Sequence, residues 1–151
     1  MKPHRILFFV PNHINAIGIH QELIAHLKDC LSSEVFVNMI TSDAKKENIQ
    51  LSDYDIIHFF GCWSNSAYKL AGKAYKHNIP YLLTPLGALQ PWEMAQHRKS
   101  MRFNKQHQLT SKASAVHVCG KLEQETFTRL GWNKRQELIK NPVLTSQISF
   151  E

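Results

Sequence analysis

Short apolar runs alternating with helical patterns constrain this chain more than any other feature. Arg5–Val10, Glu34–Thr41, Ile56–Phe60, Tyr81–Thr84, Ala115–Cys119 and Gln136–Lys140 have strand character, and most are stopped by Pro, Gly or Asn-Pro. Runs this short and this apolar suit strands buried on both faces. Between them, Ile19, Leu23, Ile24, Leu27 and Leu31 recur at helical spacing, as do Ala67, Leu70, Ala71, Ala74 and Tyr75. Ser64 or Asn65 can cap the second of these helices. Polar Ser42–Asp53 has room for a short helix, and Trp92–Lys112 is a long helix broken near its middle. After Ala115–Cys119, Gly120 and Glu123 fit a helix start, Leu122, Phe127 and Leu130 its inward face, and Gly131 its C-terminal cap. Such alternation predicts an α/β domain with a Rossmann-like, doubly wound, mostly parallel sheet. Six to seven strands, with helices on both faces, are expected within residues 1–151.

A chain of 151 residues has enough interior for one domain with a real core, and 43% hydrophobic against 20% charged residues makes it globular. The longest aliphatic or aromatic run, Ile6–Val10, is too short to span a bilayer. Three cysteines, Cys30, Cys62 and Cys119, form neither a zinc pattern nor a disulfide framework. That usage suits a reducing cytoplasm, so a cytoplasmic location is expected. Net charge is +6. No acidic residue lies between Glu93 and Glu123, where Arg98, Lys99, Arg102 and Lys105 form a basic segment. It suits anionic lipid, a phosphorylated substrate or plain solvation. Nucleic acid is not expected as a partner, because no reading motif accompanies the charge.

In open α/β sheets, ligands sit outside the carboxyl ends of the strands. The residues there are therefore the candidates. Pro11–Gly18 follows the first strand and delivers Gly18 to a helix start, where backbone N–H groups can meet a phosphate. It is not a GxGxxG loop. Gly61 and Trp63 follow the third strand, Thr84, Leu86 and Gly87 the fourth, and Gly120 the fifth. Trp92, just beyond Gly87, makes that loop a candidate site wall, although a turn shaped by Pro85, Gly87 and Pro91 would also explain the stretch. Nine histidines give no HxH or HxxxH spacing. His58 and His117 sit in apolar strands and read as hydrogen-bonded core residues. No Ser stands in GxSxG and no Lys in a P-loop, so hydrolase and nucleoside-triphosphatase readings fail. No metal site is expected.

In order and spacing, Ala16-Ile17-Gly18, Asp55–Trp63, Asn78–Trp92, Ser114–Glu123 and Leu138–Val143 resemble the N-terminal domain of the family 4 (group 1) glycosyltransferases. These have the two-domain GT-B architecture. The resemblance implies transfer of a sugar from a nucleotide-sugar donor to a polysaccharide or lipid-linked acceptor, with retention of configuration and without metal or cofactor. It implies that Ile17 and Gly18 face the donor phosphates, and that Gly61, Trp63, Thr84, Leu86, Gly87 and Gly120 surround acceptor or donor. It also implies a second, donor-binding domain, which residues 1–151 do not contain, so the chain alone is expected to be inactive. Peripheral contact with the inner membrane face follows from lipid-linked acceptors. Three positions depart from the family pattern. Ile17 stands in place of a Gly, Phe60 in place of a His, and Leu86 where His or Arg is usual. No catalytic side chain is therefore nominated. A non-catalytic binding module derived from such an enzyme is the alternative.

Overall fold

The computed structural model describes residues 2–41 and 49–142. The strands are β1 (Arg5–Val10), β2 (Phe36–Thr41), β3 (Ile56–Phe60), β4 (Tyr81–Thr84), β5 (Ala115–Val118) and β6 (Gln136–Leu138). They form one sheet in the order β2-β1-β3-β4-β5-β6, and every pair is parallel. The order reverses between β1 and β3, which makes the sheet doubly wound. Phe8 pairs with Met39 on one side and His58 on the other, and His58 pairs in turn with Leu82.

The helices are α1 (Asn12–Asn15), α2 (Gly18–Leu31), α3 (Asn65–Lys76), α4 (Pro91–His97), α5 (Met101–Lys112) and α6 (Lys121–Leu130). Two separate cores show that they cover both faces. Phe8, Val10, Val37 and Phe60 pack with Ile14 of α1 and Ile24 of α2. Leu7, Phe9, Ile57, Phe59 and Leu83 face the other way and pack with Ala67, Ala71 and Ala74 of α3, Leu109 of α5 and Phe127 of α6. Side chains of one strand alternate between the two cores, as a pleated strand requires. Three alanines on α3 bring that helix close to the sheet.

Local chemistry explains the ends. The Ser64 side chain accepts a hydrogen bond from the Ala67 N–H at 3.2 Å, so Ser64 rather than Asn65 is the cap of α3. Gly131 sits at φ 69° and its N–H donates to the Phe127 carbonyl. The predicted long helix divides into α4 and α5, because Ser100 adopts an extended conformation as the N-cap of α5. Glu34 and Val35 belong to the turn closing α2, where both N–H groups donate to Leu31, so β2 starts later than expected. Within Ser42–Asp53, Leu51–Asp53 is a 3-10 turn, and residues 42–48 lie outside the described residues. Val143, the last position of the family-like pattern, also lies outside them.

Three expected core residues are exposed, the first being Ile19 in the opening turn of α2, at 73%. Tyr75 is 53% exposed, because the buried stripe of α3 runs through positions 67, 71 and 74, and the ring meets the Lys112 ammonium instead. Leu122 is 68% exposed, since the first turn of α6 projects past the end of β5, whereas Phe127 is buried in the core and Leu130 packs against it. At the other end of the sheet, the buried Tyr81 hydroxyl donates to the Leu109 carbonyl at 2.6 Å and ties β4 to α5. Among the described residues, no helix is long and apolar enough to cross a membrane.

Candidate functional site at the carboxyl edge of the sheet

The loops leaving β1, β3, β4 and β5 all emerge at the carboxyl edge, and several take unusual backbone conformations there. Gly61 (φ 75°), Trp63 (φ 66°), Leu86 (φ 54°) and Gly87 (φ 80°) are all left-handed. For Trp63 and Leu86 this conformation is costly, of order 1–3 kcal/mol each, and must be held by the surroundings. Trp63 is held from several sides. Its backbone N–H donates to Gln106 Oε1 at 2.8 Å and its indole N–H to the Ala88 carbonyl at 3.0 Å. Its ring stacks on His97 at 4.1 Å between centroids. Gly61 is held by contact, since a Cβ there would overlap the Ile14 side chain.

The loop after β4 is held by a carboxylate. Glu123, in the first turn of α6, accepts from the Gly87 N–H at 3.0 Å through Oε1 and from the Cys119 N–H at 2.7 Å through Oε2. One side chain thus couples the β4–α4 loop to the β5–α6 loop. Carboxylate acceptors make hydrogen bonds about twice as strong as neutral ones.

These loops and the start of α2 enclose a cleft of about 410 Å³. Ile19 and His20 form one wall, Leu86, Gly87 and Trp92 another, and Gly120 and Glu123 the third. Its rim is apolar, with Ile19 at 73% exposed and Trp92 at 61%. Gly18 is the first residue of α2, and a Cβ added to it or to Gly87 or Gly120 would meet no atom within 4 Å. The backbone at these three glycines is therefore approachable. Ile17 is the residue before α2, half-exposed and without a capping side-chain bond. His20 Nδ1 is buried without a partner among the described residues, and burial lowers the pKa of that ring. Cys119 also lines the cleft. Burial, then the Glu123 charge, raises its thiol to about 11 against an opposing hydrogen bond from Asn141. The thiol therefore stays protonated at neutral pH and is a poor nucleophile.

Of the sequence candidates, Leu86, Gly87 and Gly120 come together at this cleft, and Gly18 directly precedes its wall residue Ile19. Gly61 and Thr84 are buried behind it, and Trp63 braces the adjoining loops. Thr84 is the centre of a polar chain. Its hydroxyl oxygen lies 2.6 Å from His58 Nε2 and 3.0 Å from His117 Nδ1, and His117 Nε2 lies 2.8 Å from the Ile139 carbonyl oxygen. That carbonyl only accepts, so His117 carries its proton on Nε2. Its Nδ1 then accepts the Thr84 hydroxyl proton, and Thr84 Oγ1 accepts from His58 Nε2–H. Both histidines are hydrogen-bonded within the sheet, as expected. Phe60, the departure from the family pattern, is buried and stacks on His58 at 4.1 Å.

Arg98, Lys99 and Arg102 are exposed at the turn between α4 and α5 and on the first turn of α5. Lys105 instead donates to Asn65 Oδ1 at 2.8 Å. His20 and the tethering role of Glu123 were not among the sequence candidates. Glu123 and Gly87 are 36 residues apart, so no local pattern reports their bond.

No family model matches the chain, and no curated protein matches it.

Proposed function

We propose that this chain is the acceptor-side half of a glycosyltransferase, part of an enzyme that moves a sugar from a nucleotide-sugar to a polysaccharide or lipid-linked acceptor with retention. The observation that carries the reading is the cleft at the carboxyl edge. Four separate segments meet there, three of them within stretches where the sequence resembles that family and the fourth just after Gly18. The open glycine backbones at Gly18, Gly87 and Gly120 allow an extended diphosphate to approach, and the first turn of α2 offers N–H groups to it. The apolar rim suits the faces of a base or of sugar rings. A retaining transfer needs the leaving phosphate stabilised as the glycosidic bond breaks. In this reading the backbone amides supply part of that, and a second domain supplies the rest.

A second reading, a non-catalytic binding module, is favoured by one specific observation. The cleft presents apolar Leu86 at the centre, and its carboxylate Glu123 is engaged by two backbone N–H groups. Apart from His20 on the opposite wall, no free acid or base among the described residues lines the cleft.

The test is a titration of the chain with UDP and GDP, followed by amide chemical shifts. Binding around millimolar is expected, about −4 kcal/mol, with shifts centred on Gly18, Gly87 and Gly120. Gly18→Val should remove them with no loss of fold, because the added side chain meets open space. Shifts confined to other surfaces, or none at millimolar ligand, would overturn both the phosphate role of the loop and the enzyme reading. Binding by the chain with no turnover by the whole protein would favour the module.

A further inference from the structure

A second concave surface lies on the α3–α5 face, apart from the cleft. A groove of about 360 Å³ runs between the two helices, lined by Lys69, Lys73, Lys76 and Lys112 with Tyr68 and Tyr75. A further hollow of about 360 Å³ shares Tyr75, Tyr81 and Lys112 and carries the groove past Pro80 to the amino edge of the sheet. Both helices descend from the carboxyl edge in the same direction, and each has 12 residues, about 18 Å of track. At the upper end, a shallow notch lined by Trp63, Arg102 and Lys105 adjoins the edge that holds the cleft.

The track carries one sign of charge. From Ile56 to Leu122 the only acidic residue is Glu93, against nine Lys or Arg. Lys69, Lys73 and Lys76 repeat at helical i, i+4, i+7 spacing, which sets like charges side by side at a cost to the helix. Among the described residues, none of the groove lysines has a carboxylate within ion-pair distance. Two cations rest on rings instead. Lys112 Nζ lies 4.7 Å from the Tyr75 centroid and Lys105 Nζ 5.6 Å from that of Tyr68. The Tyr68 hydroxyl donates across the groove to Gln108 Oε1 at 3.1 Å, which fixes the two walls together.

We propose that this groove binds a linear anionic glycan, a chain of hydroxylated rings carrying carboxylate or phosphate groups. Charge complementarity selects a polyanion. The tyrosines decide against a nucleic acid strand, whose bases need bare aromatic faces to stack on. Here one face of Tyr68 and one of Tyr75 already carry an ammonium group. Concavity decides against a bilayer, since a planar surface touches the ridges and cannot reach the floor at Tyr81 and Leu109. Sugar hydroxyls suit Gln108 on the α5 wall, the apolar faces of sugar rings suit the floor at Ala71 and Leu109, and the charges suit the lysines along both walls. Naming this glycan as the acceptor rests on the glycosyltransferase reading; its binding in the groove does not.

The probe is hexagalacturonate at low ionic strength, with maltohexaose, oligothymidylate and phosphatidylserine vesicles alongside. The chain should bind hexagalacturonate with an affinity that falls steeply as salt rises, and should not bind maltohexaose. Lys69→Glu with Lys112→Glu should weaken binding about tenfold or more, and the milder Lys69→Gln with Lys112→Gln should weaken it less. Lys2→Glu with Lys28→Glu, which line neither hollow and carry the same charge change, should leave it unchanged. Equal loss in the two charge-reversed pairs would overturn the groove as the site. So would tighter binding of oligothymidylate, or sedimentation with vesicles in the absence of hexagalacturonate binding. The UDP titration reads amides of the cleft, so either site can fail while the other stands.

Discussion

Glu123 does more for this surface than its place in the first turn of a helix suggests. Its two oxygens satisfy Gly87 and Cys119, whose N–H groups would otherwise be left half-buried and unpaired. Glu123→Ala should lower stability by about 1–3 kcal/mol in urea unfolding, and Glu123→Gln, which keeps one acceptor, by less. Amide exchange at Gly87 should accelerate in both; unchanged exchange would mean the loop is held by something else. His58 makes a second prediction. Burial, with the nearby His117 second, lowers its pKa to about 3. The folded state therefore resists a proton that the unfolded chain takes up near pH 6.5. The stabilisation of neutral His58 is complete above that pH and drains as pH falls toward 3, at up to about 1.4 kcal/mol per unit. Urea midpoints at successive pH values should show a shallower acid slope for His58→Phe than for the parent chain. Equal slopes would assign the acid sensitivity to other groups.

At the scale of elements, Ser64 gives the cleanest test. Ser64→Ala removes the side-chain acceptor at the start of α3 and should cost about 1 kcal/mol. An unaltered urea midpoint would show that water caps the helix equally well. The sheet was legible in the sequence because each strand carries its own apolar run and its own stop, as at Ile56–Phe60 and Gly61. The helix faces were legible where burial follows a regular stripe, as at Ala67, Ala71 and Ala74. They were misread at Ile19 and Leu122, which lie in first turns beyond the part of the helix that touches the sheet, and at Tyr75, which lies beside the stripe that ends at Ala74. The carboxyl-edge glycines were legible because topology alone sends the loops there. The Glu123 tether, the Thr84 relay and the lysine-lined groove were not, because each joins segments that only the parallel crossovers bring together.

For the molecule as a whole, the glycosyltransferase reading predicts that residues 1–151 transfer no sugar on their own. Among the described residues, the cleft supplies backbone amides and His20 but no paired acid and base for donor and leaving group. Donor hydrolysis or transfer by the isolated chain would show a complete site within one domain and would sink the division of labour proposed above. The bond from Tyr81 to Leu109 gives the molecule an optical clock. Burial, with Tyr75 a lesser cause, pushes the Tyr81 phenol above its usual range. The folded chain then holds this proton after the unfolded chain has released it, so stability declines as pH rises beyond about 10. In an alkaline pH jump, one tyrosinate absorbance step should therefore arrive at the rate of global unfolding, measured in parallel by circular dichroism. Tyr81→Phe should abolish that step and leave the faster ones; a slow step that survives the substitution would belong to another ring.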